Sequence, residues 1–143
     1  MLIGSNIHTL DDKGRLFIPA KFREELGGQL ILARGIGKCI FLYGESDWES
    51  FSQKLKGLPM TNAQAQLFMR MLYASAIERV PDKQGRVVLS AELIAHAGID
   101  KEAVIIGMGN RVEIWGKETW ETYSGSNDGD YENALQALCE FGI

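Results

Sequence analysis

The sequence predicts a mainly β chain with short helices, α+β in class, built as two copies of one unit. Three observations carry this. Asp11, Gly14, Arg15, Ile18 and Ala20 return 71 positions later as Asp82, Gly85, Arg86, Leu89 and Ala91. Gly37, Ile40, Leu42, Gly44, Trp48 and Glu49 return 72 positions later as Gly109, Val112, Ile114, Gly116, Trp120 and Glu121. Between these anchors, short apolar runs rich in Ile, Leu, Val and Phe alternate with Gly-containing turns, which is strand punctuation. A one-residue insertion reconciles the two spacings. An internal repeat of this kind dominates any fold assignment, because a unit that cannot bury its own apolar face must find the second copy.

Each half reads as the same order of elements. A leading strand, "IHTL" or "AIERV", runs into a turn that spans Asp11 to Arg15 or Asp82 to Arg86. A second strand follows, "RLFI" or "RVVL". A short helix comes next. In the first half Pro19 opens it, "AKFREEL" is its body and Gly27 its stop; in the second, Ser90 caps "AELIAHA" and Gly98 ends it. Two strands then form a hairpin, "QLILAR" with "CIFLY" and "AVIIGM" with "RVEIW", joined through "GIGK" and "GN". A last helix starts at "SDWESF", with Ser46 as the expected cap, or at "KETWETY". Between the halves, "TNAQAQLFMRMLYASA" predicts a helix of about 14 residues, with Leu67, Phe68, Met71 and Leu72 near helical spacing. Its apolar stripe suits core or subunit packing rather than a ligand box. The segment 124–130 reads as a flexible loop and "YENALQALCEF" as a terminal helix. The expected boundaries are 5–47 for the first repeat, 48–75 for connecting helices, 76–119 for the second repeat and 120–143 for an acidic tail.

A chain of 143 residues, 45% hydrophobic, is long enough to bury a substantial core. No stretch has the length and apolarity of a membrane span, and the N-terminal residues lack the layout of a secretory signal. Cys39 and Cys139 stand far apart in no CxxC pattern, so two reduced thiols in a cytosolic setting are expected. Net charge is −4, yet six of the 19 acids and only one of the 15 bases lie from Lys117 onward. The remaining body is close to neutral, and a neutral body presents a basic face if its bases cluster.

The repeated Asp-x-x-x-Arg turns, with Pro19 and Arg23 in "LFIPAKFREELG", resemble the swapped-hairpin DNA-binding domains of the AbrB/MazE type. Two copies in a chain of this length closely resemble the MraZ family of bacterial regulators, over nearly all of the chain. The resemblance implies two interlocked repeats that form one pseudo-twofold β-barrel with flanking helices. It also implies a homo-oligomeric ring. Double-stranded DNA is the implied partner, at the protein's own promoter ahead of division and cell-wall genes, with repression as the usual effect. That places the protein in the cytoplasm, at the nucleoid.

The residues of the turns suit such a partner. A guanidinium is always charged, and its fork grips a phosphate or a guanine edge in two places, so Arg15 and Arg86 are the expected DNA contacts. Lys13 and Lys83 are point charges suited to phosphates. Gly14 and Gly85 permit a positive φ or a close approach. Asp11 and Asp82 would repel phosphate, so a turn-shaping role is expected for them, orienting the Arg or capping backbone N–H groups. The plainer reading, an Asp–Arg ion pair that merely pins a turn, is compatible with DNA contact, since the pair would preorganise the Arg. Arg23 and Arg34 are secondary candidates, free to touch DNA or to pair with Glu24, Glu25 or Glu45.

Other chemistry finds little support. "GIGK" lacks the spacing and the Ser or Thr of a phosphate loop. His8 and His96 belong to no cluster with zinc-ligand spacing, so no metal or other cofactor is expected. Asp11, Asp12 and Asp82 have no accompanying nucleophile or His base, which argues against catalysis and against a small-molecule substrate. Trp48, Trp120, Tyr43 and Trp115 are expected to pack. The surviving alternative is a protein-interaction module of the antitoxin kind, which the acidic tail favours and the doubled repeat opposes.

Overall fold

The duplication in the sequence becomes an interleaving in space. The computed structural model describes residues 1–125 and 128–142. The first half contributes β1 (Ser5–Thr9), β2 (Arg15–Phe17), α1 (Ala20–Leu26), β3 (Leu30–Arg34), β4 (Cys39–Gly44) and α2 (Glu45–Lys56). After α3 (Ala63–Ser75), the second contributes β5 (Ile77–Arg79), β6 (Arg86–Val88), α4 (Ala91–Ala97), β7 (Glu102–Gly107), β8 (Val112–Gly116) and α5 (Lys117–Ser124). A final helix, α6 (Asp128–Ala137), runs into a 3₁₀ turn, Leu138–Phe141.

Six strands form one antiparallel sheet in the order β1-β7-β8-β4-β3-β5, and β2 pairs with β6 in a two-stranded ribbon. The order is unchanged when the two halves are exchanged. Each half therefore places its first strand at the edge of the other half's hairpin: β1 lies on β7, and β5 on β3. The pseudo-twofold axis can be located to single residues. Phe41 faces Glu113 and Leu16 faces Val87, and in each pair the partners are one another's counterparts in the repeat. The expected barrel takes the form of two sheets. The ribbon strands are joined through the charged turns to β1 and β5, the two edges of the large sheet, so the ribbon spans the sheet's inner face.

That inner face holds the main core. Leu30, Leu32, Ile40, Leu42, Ala103, Ile105, Val112 and Ile114 of the sheet meet Leu16, Ile18, Val87 and Leu89 near the ribbon and Phe22 and Leu93 of the helices. The outer face is covered too. Cys39, Phe41, Tyr43 and Trp115 pack with Trp48 and Phe51 of α2 and Trp120 of α5, and Ala33 with Leu55 and Leu72. Coverage on both faces explains why "CIFLY" is uniformly apolar: β4 is buried at every position. A buried carboxylate sits on the outer face, Glu113, which accepts from Arg111 Nη2 at 2.9 Å and Trp115 Nε1 at 3.0 Å. Arg111 lies over the Phe41 ring, 4.4 Å from its centroid.

The caps are mostly as expected. Ser90 Oγ accepts from Leu93 N, and Gly98 ends α4 in the left-handed region at φ 63°. Ser46 does not cap α2. The helix starts one residue earlier, with Gly44 at its N-cap and no side-chain cap. A Cβ at Gly44 would run into the Leu26 carbonyl, and one at Gly116 into the Gly98 carbonyl, so these matched glycines serve a close approach between helix start and helix end. The expected loop 124–130 also needs correction. Ser124 closes α5, residues 126 and 127 lie outside the described residues, and α6 begins at Asp128; acidic Asp130 in its first turn suits the helix dipole. In α3 only Leu72 of the predicted stripe is core, whereas Leu67 and Met71 are exposed.

Candidate nucleic-acid interface

Both charged turns are built the same way, and the Asp does most of the building. Asp11 Oδ1 accepts from the backbone N–H of Lys13 at 3.0 Å and of Arg15 at 2.8 Å. Its Oδ2 accepts from Arg15 Nε at 2.6 Å. In the second turn, Asp82 Oδ1 accepts from Gln84 N and Arg86 N, both at 2.9 Å, and its Oδ2 from Arg86 Nε at 2.9 Å. The Arg15 N–H, followed by the guanidinium, holds the Asp11 carboxyl below its usual range, and Arg86 does the same for Asp82. Both aspartates therefore stay ionised. Gly14 and Gly85 sit at φ 75° and 80°, where a side chain would be strained. The turns are stitched to the opposite half as well: Gly14 O accepts from Leu89 N at 2.8 Å and Gly85 O from Ile18 N at 2.9 Å.

The ribbon then places the two arginines together. Arg15 pairs with Val88, Leu16 with Val87 and Phe17 with Arg86. Alternation sends Leu16 and Val87 into the core, which leaves Arg15, Phe17, Arg86 and Val88 on the opposite, outward face. Arg86 Nη1 lies 4.0 Å from Asp11 Oδ2, so the turns also meet across the ribbon. In each arginine the Nε is held by its own Asp, and the side chain is 29% exposed. Lys13 and Lys83 are exposed beside them. They are not counterparts: Gln84 takes the place of Lys13 in the second turn, and Lys83 the place of Asp12.

Arg23 lies in the same region and makes none of the expected ion pairs with Glu24, Glu25 or Glu45. Its Nε donates to Ile18 O at 2.8 Å, and its guanidinium lies 5.5 Å from the Phe17 ring centroid. Arg34 is elsewhere, in a cleft with Phe68 and Met71 of α3. Three further residues border the ribbon that sequence reasoning missed. Arg79 donates from Nε to Val88 O at 2.9 Å. His8 meets Phe17 edge-on, with ring centroids 4.9 Å apart. Phe17 itself lies between His8 and Arg86. No sequence signal marked Arg79, because its counterpart is His8 and a search by matching residues passes over both.

An outward ribbon face that gathers several guanidinium forks suits a polyanion. Comparison with known proteins gives the family. The family model described as "MraZ protein, putative antitoxin-like" matches residues 1–71 and again residues 72–140. A protein of Caldanaerobacter subterraneus subsp. tengcongensis named "Transcriptional regulator MraZ" is 46% identical over 143 residues, the full length of both chains. Proteins of the same name from Carboxydothermus hydrogenoformans and Moorella thermoacetica are 44% identical over 141 residues (99% of each chain) and 42% identical over 143 residues (100% of each chain). With two matches to the family model and full-length relatives of this similarity, the chain belongs to the MraZ family of transcriptional regulators.

Proposed function

We propose that this protein is a DNA-binding transcriptional regulator whose outward ribbon, from Arg15 and Arg86 with Lys13 and Lys83, contacts the double helix. One observation carries the reading. Two guanidinium groups stand side by side on one exposed face, each aimed by its own carboxylate. Asp11, Gly14, Asp82 and Gly85 shape the turns and stay clear of the phosphates. A single chain offers a few contacts, which is weak for specific binding. A homo-oligomeric ring, as the family resemblance implies, repeats the ribbon, and successive short direct repeats in the DNA then meet linked sites. Exposed Leu67 and Met71 on α3, and exposed Ile36 in the turn of the first hairpin, are apolar surface for such contacts. The target is the promoter of the protein's own gene and of the division and cell-wall genes behind it, the effect is repression, and the place is the nucleoid in the cytoplasm.

The test is a titration of duplex DNA from upstream of the gene over a range of salt. Log affinity falls linearly with log salt, with a slope of about −0.9 per phosphate neutralised. Arg15→Ala weakens binding while the oligomer stays intact. Binding equal to the parent's would refute the assignment of Arg15.

A second reading, a protein-binding module of the antitoxin kind, is favoured by α6 and the turn after it, where Tyr131, Leu135, Leu138 and Phe141 are all exposed. Affinity purification from native lysate separates the two. Enriched promoter DNA supports the regulator, and one stoichiometric unrelated protein supports the module.

A further inference from the structure

We propose that the outer face of β1 and β7 is a seat for the C-terminal helix of a second copy of this chain, so that α6 and the turn after it link neighbouring subunits. The inference does not depend on DNA contact by the ribbon. It rests on the homo-oligomer of the reading above and names a contact within it.

The duplication shows what belongs on such a face. The two hairpins align through their registers: Ile31 faces Tyr43 and Ala33 faces Phe41, as Val104 faces Trp115 and Ile106 faces Glu113. In the first half α3 closes the outer face. Ala33 is fully buried with Leu55 and Leu72, and Phe51, Phe68, Met69 and Ala76 pack around them. Ser75 Oγ accepts from Arg34 N at 3.0 Å and ties the end of α3 to β3. In the second half the matching positions are more open. Ile106, in the place of Ala33, is only partly buried. Tyr123 takes the place of Phe51: it stacks on Trp115 with centroids 4.9 Å apart, as Phe51 stacks on Tyr43 at 5.3 Å. Yet Tyr123 is 68% exposed. The edge strand widens the open strip. Ile7 faces Val104 and Ser5 faces Ile106, and opposed residues share a face of a sheet. Ile7 is exposed, as are Ile3 and Met108 at the end of the same strand pair. At the other edge Glu78 faces Ile31, so a carboxylate stands where β1 has Ile7. Apolar side chains along an edge strand are surface that a partner covers.

The spacing of α6 fits that seat. In α3 the packed residues are Phe68, Met69, Leu72, Ser75 and Ala76. The same spacing returns 66 positions later as Ala134, Leu135, Leu138, Phe141 and Gly142. Tyr131, Leu135, Leu138 and Phe141 are all exposed in their own subunit. The reason lies in the connection. A 12-residue α2 and residues 57–62 bring α3 back over its own β3, whereas an eight-residue α5 and residues 125–127 precede α6. Charge agrees with the match. Residues 128–142 contain Asp128, Asp130, Glu132 and Glu140 and no base, whereas residues 1–10 contain no acid. Lys21 Nζ borders the β1 end, where a Cβ on Gly4 would lie 3.6 Å from it. Helix and seat are different surfaces of one chain, so the contact is head-to-tail and repeats until a ring closes.

The alignment of α3 with α6 also fixes a register, which an engineered disulfide reads. Cys139 falls in the place of Tyr73, which lines one cleft with Ile31 and Glu78. Cys139 of one copy therefore meets Ile7 of the next. Full-length Ile7→Cys, oxidised mildly, should give a ladder of two and more linked chains on a non-reducing gel, and the same variant with Cys139→Ser should not. Unlinked chains overturn the proposal and leave α6 to an unrelated protein. A link within one chain overturns it too, since the helix then covers its own subunit. The second measurement is sedimentation at fixed concentration. Leu135→Asp with Leu138→Asp, both at exposed positions, should sediment as single chains with the parent's urea midpoint. If the parent is an oligomer and this variant keeps its size, the seat alone is disproved. If the parent itself is a single chain, the homo-oligomer of the reading above fails as well.

Discussion

Leu16 and Val87 face each other on the pseudo-twofold axis, directly beneath the arginines, and truncating them measures what seats the ribbon. A two-stranded ribbon of three residue pairs is not stable by itself in water. Its position must come from the side chains it sends inward. Leu16 is 0% exposed and Val87 1%. Leu16→Ala removes three buried carbons and Val87→Ala two. At about 0.8 kcal/mol per carbon the transfer losses are about 2.4 and about 1.6 kcal/mol. Incomplete collapse of the cavity raises these to about 3–4 and about 2–3 kcal/mol. A chain of this length has a total stability of about 7–20 kcal/mol, so both variants remain folded at room temperature. Urea unfolding reads the loss as a lower midpoint at unchanged slope. Val88→Ala is the control, since Val88 is on the outward face and 45% exposed; it costs no more than about 0.5 kcal/mol. If Leu16→Ala costs under about 1 kcal/mol, or Val88→Ala costs as much as it does, inward packing is not what holds the ribbon in place.

Other consequences follow from the same structure. The carboxyls of Asp11 and Asp82 titrate below their usual value, so their contribution to stability is complete above about pH 4 and is lost as pH falls through the lowered folded values. Asp11→Asn with Asp82→Asn should flatten the acid limb of stability against pH below 4, measured by urea midpoints; an unchanged limb would contradict the turn geometry. Burial pushes the Cys39 thiol up to about 12, while Cys139 is exposed. A thiol reagent at pH 8 should label one cysteine per native chain and two after denaturation, and fast native labelling of both would show an open outer layer. Because β1 pairs only with β7 and β5 with β3, residues 1–75 alone expose half a core. By circular dichroism and sedimentation that fragment should be unfolded as a monomer, and a cooperatively folded monomer would disprove the interleaving.

Much of the fold was legible because the repeat is a pattern in the chain. The eight strands, the short helices after the turns and the glycine stops all carry local signals of apolar runs and caps. The start of α2 was misread because Ser46 is a good cap by chemistry, whereas a backbone approach between Gly44 and Leu26 decides where the helix begins. The exposure of Leu67 and Met71 was equally hidden, since spacing marks a stripe but not what covers it.

The sequence by itself determined that two equivalent charged turns exist, that Asp11 and Asp82 stand where they can shape them, and that a neutral body carries an acidic C-terminal segment. Those properties depend on residues near one another along the chain. Only the tertiary structure decided that the halves exchange their first strands, that Arg15 and Arg86 share one outward face, and that Arg23 and Arg79 join them there. Such neighbours come from pairing between residues some 70 positions apart, and Arg79 and His8 leave no mark in a comparison that looks for likeness. The physical reason is burial: each half can cover its apolar strands only with the other, and that closure brings the four guanidinium groups to one surface.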